Sequence, residues 1–389
     1  MKTWLINKIK HISLLYCLYY YFGNALLWLF KPFFRTDEKL ILFVSFGGKK
    51  YDDSPRVIYE QMLCDMRFEG NRFVWAFLQP EKFDIPKGEK VKIDTLRFYK
   101  IALKSRVWIT NSSVERGLSF KKKNTFYYNS WHGSAIKKMG SDIQKSNDGF
   151  KSKGSSRVDV MAAQGKFDVD VFSRVFCIQY DKFQITGLPR NDRLANYSGD
   201  YRNKLRMSLN LNSHKKVILY APTYREYEFD GNGVYLTTPI DMEEWQLKLS
   251  NKYILLFRAH HAVARSLRIN DNEFIRDVSK YPKLEDLMIV SDLLISDYSS
   301  ILFDYSIMGK PMLCYTYDYE KYEKERGVYF DVREKLPSAS TEDEMIERLV
   351  NLDFFEASNQ ALKFRDSYVT AFGNATKQTL DIFAKELKL

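Results

Sequence analysis

The sequence predicts an α/β protein built from two doubly wound halves. Three observations point there. A chain of 389 residues exceeds what one hydrophobic core usually organises. From Lys39 onward, short β-branched or aromatic runs alternate with helical stretches, the pattern of a parallel sheet covered by helices on both faces. The alternation then restarts near Ser213, after a polar stretch with little apolar pattern over residues 196–215.

In the first half a buried strand is expected over 40–46, ending in Gly47-Gly48. A helix over 54–68 follows, with Pro55 in its first turn, where a missing N–H is tolerated. A strand over 72–78, a helix over 95–105, and strands over 107–110 and 125–130 come next, the last ending at Trp131-His132-Gly133. Runs 158–163 and 184–186 read as further strands. In the second half a strand over 217–220 runs into Ala221-Pro222-Thr223, and a helix covers 241–249. The strand 253–257 ends at Arg258-Ala259-His260. A helix over 284–290 leads to a strand over 293–296, which ends at Asp297-Tyr298-Ser299-Ser300. A helix over 301–308, a strand over 312–315, and helical pattern through most of 342–389 complete the chain. The expected division is therefore a leading segment 1–38, a first Rossmann-like domain 39–200, and a second 201–389. Ligands of open parallel sheets bind outside the carboxyl ends of the strands. The polar strand-end segments all lie at such ends, and two facing domains would bring them to one cleft.

The leading segment needs its own account. Residues 12–30 carry no charge, and Lys2, Lys8, Lys10, Lys31 and Arg35 flank them. No small-x-small site follows, which argues against a removed signal peptide. A helix of this length rises roughly 28 Å, enough for a bilayer. Its many Tyr and Trp residues prefer the membrane interface, and the basic flanks suit anionic headgroups. An in-plane membrane helix, a span, and a helix packed on the protein body all stay open; a membrane-associating helix is the expectation.

Sixty Lys and Arg stand against 49 Asp and Glu, a net charge of +11. The excess favours an anionic partner: nucleic acid, acidic lipid, or a phosphate-bearing substrate. Nothing resembles an RNA- or DNA-binding module, so no nucleic acid is expected. Cys17, Cys64, Cys177 and Cys314 are too scattered for a zinc site or a disulfide framework and suit a reducing cytosol. No cluster resembles a metal cage; magnesium bridging a diphosphate stays open.

Among only five histidines, His132 and His260 lie at predicted strand ends. His132 precedes Gly133, which allows close approach of a ligand. It fits a general base toward a hydroxyl, since its pKa lies near neutrality, or a structural cap on the strand. Arg258 stands two residues before His260 and so shares a face with it in an extended segment. The pair would suit a diphosphate, or the arginine would pair with a surface carboxylate. After Asp297, Ser299 and Ser300 either serve a phosphate at a helix N-terminus or simply cap that helix. Gly187-Leu188-Pro189-Arg190-Asn191-Asp192 reads as a turn, with Arg190 a candidate phosphate contact. Gly47-Gly48-Lys49-Lys50 matches neither a Walker motif nor G-x-G-x-x-G.

Taken together, these segments resemble the CDP-glycerol glycerophosphotransferase family, enzymes of teichoic acid and related capsule synthesis. The resemblance rests on Ser130-Trp131-His132-Gly133 with Lys137-Lys138-Met139-Gly140, the Gly187–Asp192 turn, Leu219-Tyr220-Ala221-Pro222-Thr223-Tyr224-Arg225, Phe257-Arg258-Ala259-His260, and the run from Ser291 through Asp297-Tyr298-Ser299-Ser300 to Tyr305. Lys310-Pro311-Met312 and Arg326-Gly327-Val328-Tyr329-Phe330-Asp331 continue it. It covers roughly residues 39–332. It implies a GT-B fold with the donor in the cleft, and transfer of glycerol phosphate from CDP-glycerol with release of CMP. By the same resemblance His132 and His260 are catalytic. Arg258, Asp297, Ser299, Ser300, Arg190, Thr223 and Arg326 fall on the donor phosphate side, and Gly133, Lys137 and Lys138 on the acceptor side. His261 stands where the family has Pro, and Ser134-Ala135 replaces Thr-Pro. These departures leave the alditol open between glycerol and ribitol.

The expected reaction is in-line phosphoryl transfer. An acceptor hydroxyl attacks the alditol-bearing phosphorus while His132 takes its proton and His260 with Arg258 neutralises the diphosphate. The expected partners are CDP-glycerol or CDP-ribitol, a lipid-linked glycan or polyol-phosphate acceptor, and an anionic membrane surface at the cytoplasmic face. The competing reading is a GT-B glycosyltransferase using a nucleotide sugar.

Overall fold

A computed structural model describes residues 13–143, 157–211, 214–223, 225, 229–230, 233–234, 239–259 and 271–389. His260 and His261 lie outside the described residues. The first sheet consists of β1 Asp37–Val44, β2 Arg72–Phe77, β3 Glu89–Lys92, β4 Ser105–Thr110, β5 Phe126–Asn129, β6 Val160–Ala163 and β7 Phe183–Ile185. Its spatial order is β3-β2-β1-β4-β5-β6-β7, and every neighbouring pair is parallel. Leu40 through Val44 are all buried, as expected of a strand covered on both faces. Alternation divides the side chains. Ile41, Phe43, Phe73, Trp75 and Phe77 pack on one face against α2 (Asp53–Cys64) and the chain's last helix, Ala375–Leu387. Leu40, Leu42 and Val74 take the other face. That face carries α3 (Leu96–Lys104), and Trp108 Nε1 donates to the Ala102 carbonyl of α3 at 2.9 Å.

The second sheet holds β8 Lys216–Tyr220, β9 Tyr253–Phe257, β10 Ile275–Asp277, β11 Leu293–Ser296, β12 Met312–Tyr315 and β13 Ser338–Ala339. Its order is β10-β9-β8-β11-β12-β13, again parallel throughout. Its core gathers Ile218, Tyr220, Trp245, Leu255, Phe257, Leu293 and Ile295. In each sheet the order reverses about its first strand, between β1 and β4 and between β8 and β11. Those two points, at the carboxyl ends, are where open α/β sheets bind ligands.

The chain divides into two units, residues 1–132, 146–192 and 374–389 in one, and 133–145 with 193–373 in the other. This differs from the ranges 1–38, 39–200 and 201–389: the leading segment joins the first unit, the boundary falls after Asp192, and two segments change sides. The last helix belongs to the first unit: Phe383 packs on the rings of Phe126 and Tyr128, and Asp192 accepts from the N–H groups of Ala375 and Thr376 at 2.8 and 2.7 Å. The segment 133–145 belongs to the second unit, as the candidate site shows below. The polar stretch expected as a linker contains the helix Gly199–Ser208. It docks through charge rather than an apolar stripe: Arg202 and Arg206 bond the carbonyls of Ile289 and Val290 and the carboxylate of Asp292. That is why apolar periodicity did not reveal it. Strands β3 and β10 and the helix Lys166–Phe176 also went unanticipated. β3 has a single buried residue, and β10 is three residues long.

The helix α1 (Ser13–Phe30) belongs to the first unit. Its docked side meets the 116–121 segment: Tyr19 donates to the Arg116 carbonyl, Ser119 N–H to Asn24, and Lys31 to the Lys121 carbonyl. The other side leaves Leu18, Tyr21, Phe22, Trp28 and Leu29 exposed, Phe22 and Trp28 by 72% and 75%. Among the described residues no helix is long and apolar enough to cross a membrane.

Candidate active site

In the first unit the strand-end residues converge on His132. After β5 the backbone turns sharply: Trp131 adopts φ +50° and Gly133 φ +139°, a region that only glycine enters cheaply. The turn is held by Trp131 N–H donating to Asn129 Oδ1 at 2.8 Å, and by the Trp131 ring packing 4.6 Å from Phe176. It lays the His132 ring against the end of β4, where Nδ1 lies 2.8 Å from the Asn111 carbonyl. A carbonyl can only accept, so Nδ1 carries the proton and the basic lone pair sits on Nε2. Asn111 also orders the loop after β1, accepting from Phe46 N–H at 2.7 Å, and Phe46 lies 5.5 Å from the His132 ring. Residues from the ends of β1, β4 and β5 thus orient one imidazole at the switch point. Asn111 was not anticipated. The polar run Thr110-Asn111-Ser112 at a strand end was the signal that could have found it.

In the second unit the switch point is organised by Arg225, which the sequence reading quoted without a role. Its side chain is 1% exposed. Nη1 donates to Asp297 at 2.8 Å and to the Thr223 carbonyl at 2.6 Å, while Nε and Nη2 grip Asp318 at 2.7 and 2.9 Å. The rings of Tyr298, Tyr317 and Tyr322 surround it at 5.1–5.3 Å. Burial opposes its charge, but Asp297 and Asp318 outweigh that and hold its pKa above the ordinary value. Asp297 in turn accepts from the N–H groups of Thr223 and Tyr298. One guanidinium therefore ties the loops after β8, β11 and β12 together. Beside it the Thr223 hydroxyl is buried without a hydrogen-bond partner among the described residues.

The other candidates fall as follows. Ser299 and Ser300 are half-buried at the start of the helix Ile301–Ser306. Ser300 does not cap it: its backbone is already helical, φ −60° and ψ −15°, whereas a capping residue is extended. Only Ser299 Oγ accepts, from Ile301 N–H at 3.4 Å. Arg258 donates to the carbonyls of Val278 and Tyr281 at 3.1 and 2.9 Å. Arg190 lies in the first unit, buried and bonded to Asp53 at 2.8 Å. It pins the Pro189 turn to α2. Gly133, Lys137 and Lys138, grouped with the acceptor side, belong to the second unit. Lys137 forms an antiparallel bridge with Val328, and Lys138 N–H donates to the Gly327 carbonyl at 2.9 Å. They adjoin Arg326 because the 136–138 backbone pairs with 327–329. Among the described residues no three His, Cys, Asp or Glu side chains gather as a metal site.

Lys310, in the matched Lys-Pro-Met segment, closes the carboxyl end of the helix Leu284–Val290. Its Nζ bonds the carbonyls of Ile289 and Ser291, both at 2.8 Å. Burial, helped by the charge of Arg202, pushes its pKa down to about 7. Above that pH the unfolded chain holds a proton that the folded chain lacks, so stability should rise as pH increases toward the ordinary lysine value. The contribution from pH 7 to 9 is at most about 2 kcal/mol. Urea unfolding of wild type and Lys310→Met across this range checks it: the wild type alone should show this rise.

Comparison with known proteins extends the resemblance over the whole structure. The family model described as CDP-Glycerol:Poly(glycerophosphate) glycerophosphotransferase matches residues 26–376. A teichoic acid poly(glycerol phosphate) polymerase of Staphylococcus epidermidis is 34% identical over 377 residues, 91% of this chain and 52% of that protein. The chain thus spans about half the length of that relative. A teichoic acid glycerol-phosphate transferase of Staphylococcus aureus is 31% identical over 86% of this chain and 89% of its own. Among solved structures, a histidine-to-asparagine variant of the wall teichoic acid polymerase TagF, soaked with CDPG, matches with a TM-score of 0.83 and 30% identity, covering 94% of this chain and 93% of that one. With the matched residues running through both units, the chain belongs to the CDP-glycerol:poly(glycerophosphate) glycerophosphotransferase family.

Proposed function

We propose that the protein transfers an alditol phosphate, glycerol or ribitol, from a CDP-alditol to the hydroxyl end of a lipid-linked primer or growing teichoic acid or capsule polymer, and that its two units are the halves of a GT-B transferase. The observation that carries the reading is the His132 ring, held by Asn111 in the tautomer a general base requires. The first unit takes the acceptor. Its hydroxyl oxygen attacks the alditol-bearing phosphorus, its proton passes to Nε2 of His132, and the bond from phosphorus to the bridging oxygen breaks, so CMP leaves with that oxygen. The second unit takes the donor. Asp297, Thr223, Ser299 and Ser300 lie where a parallel sheet binds ligands, and Arg258, His260 and Arg326 with Lys137 and Lys138 supply positive charge for the diphosphate. Such transfer depends mainly on positioning and charge stabilisation. Offering CDP-glycerol, CDP-ribitol and UDP-sugars side by side tests the reading. CMP should be released from a CDP-alditol; UDP release alone would favour a glycosyltransferase.

The exposed apolar side of α1 supports peripheral attachment at the cytoplasmic membrane face, lying in the interface with its basic flanks on anionic headgroups. Deleting residues 1–35 is expected to abolish sedimentation with anionic vesicles while transfer to a soluble acceptor analogue persists. Unchanged vesicle binding would refute the placement.

A further inference from the structure

A groove of about 440 Å³ opens along α3, between that helix and the starts of β1 and β2. Its floor is Leu40 and Val74, and its wall carries Arg72, Arg97, Lys100 and Lys104. The two arginines are already paired, with Asp37 and Glu89. Lys100 and Lys104 have no carboxylate partner among the described residues, although they stand one turn apart on one side of the helix. Leu96, at the head of the same side, is 86% exposed.

The groove and α1 both adjoin α3. Leu40 and Val74 lie on the sheet face opposite the one that packs on the last helix. That face carries α3, which rests on Trp108 and, through Tyr99, on Phe120. The phenols of Tyr99 and Tyr19 lie close together, which brings α3 next to α1. Together they are a groove with two lysines that have no carboxylate partner among the described residues, a helix with an exposed leucine at its head, and a neighbouring helix whose outer side is aromatic and aliphatic. Apolar insertion flanked by positive charge is the chemistry of an anionic bilayer surface.

We propose that this groove receives the phosphodiester headgroup of an anionic phospholipid, with Lys100 and Lys104 as its ligands, so that α1 supplies insertion and α3 supplies lipid selectivity. The inference rests on the peripheral membrane placement given above and adds which lipid is chosen and by which residues. A lysine near an anionic surface contributes a free energy that makes loss of two worth about 30-fold in partitioning.

The test is sedimentation of the full chain with phosphatidylglycerol-containing and with pure phosphatidylcholine vesicles. Lys100→Gln combined with Lys104→Gln should cut partitioning onto the phosphatidylglycerol vesicles about 30-fold. Binding to neutral vesicles and turnover on a soluble acceptor should stay unchanged. Lys377→Gln with Lys385→Gln removes the same charge from the last helix, on the other sheet face, and should have no such effect. An equal loss from both pairs would show diffuse attraction and overturn the groove, as would undiminished binding of the Lys100/Lys104 variant. If the wild type binds no vesicles, the membrane placement itself falls. If only the selectivity is missing, the placement stands and the groove alone is refuted.

Discussion

Replacing His132 with alanine should lower kcat by at least about 100-fold, because a positioned general base contributes that much or more. The donor KM should change little, since the proposed role of the ring is to take the acceptor's proton. The acid limb of the wild-type pH profile, set by protonation of the imidazole, should vanish from the residual activity, and added imidazole should restore part of the turnover. Asn111→Ala would not test the same thing, because Asn111 Oδ1 also orders Phe46. The hydrogen bond to the histidine comes from the Asn111 backbone carbonyl, so side-chain substitution would disturb the loop and leave that bond. Near-normal turnover by His132→Ala would remove the imidazole from the proton's path.

Arg225→Met should be the most damaging single substitution for stability in the second unit. Methionine has similar volume, but Asp297 and Asp318 would lose the buried guanidinium they share. Removing one member of a buried ion network costs about 3–5 kcal/mol. Arg225→Lys should fall between, because an ammonium keeps the charge but cannot reach Asp297, Asp318 and the Thr223 carbonyl in one planar fork. Urea unfolding followed by a probe in the second unit checks both. A methionine variant as stable as wild type would mean that the carboxylates find solvent or protonate at little cost, and the clamp on the three loops would lose its energetic basis.

Much of the architecture was legible because parallel strands buried on both faces write themselves as short apolar runs. The strand Tyr253–Phe257, the helix Leu284–Val290 and the strands Leu293–Ser296 and Met312–Tyr315 have the expected bounds. What escaped notice was held by something other than apolar periodicity. The helix Gly199–Ser208 docks through arginines, and the last helix reads as amphipathic without revealing which unit it covers. The 133–145 segment crosses to the second unit through backbone pairing at 136–138 and 327–329, to which side-chain pattern is blind. At the candidate site the strand-end rule led to His132, Thr223 and Asp297. Arg190 drew attention as a cation beside a turn; its ion pair with Asp53 depends on tertiary placement, which the sequence does not display. Arg225 shows the converse: an ordinary arginine in a matched segment organises three loops only because two carboxylates and three phenol rings fold around it.

The most direct measurement follows one atom. A CDP-glycerol donor is labelled at the phosphorus next to glycerol and incubated with the protein and a lipid-linked acceptor. Transfer as proposed here delivers the label to the acceptor and releases unlabelled CMP in equal amount. Label remaining with the nucleotide while the acceptor grows would mean that a different bond breaks, and the assignment of the reaction would be wrong.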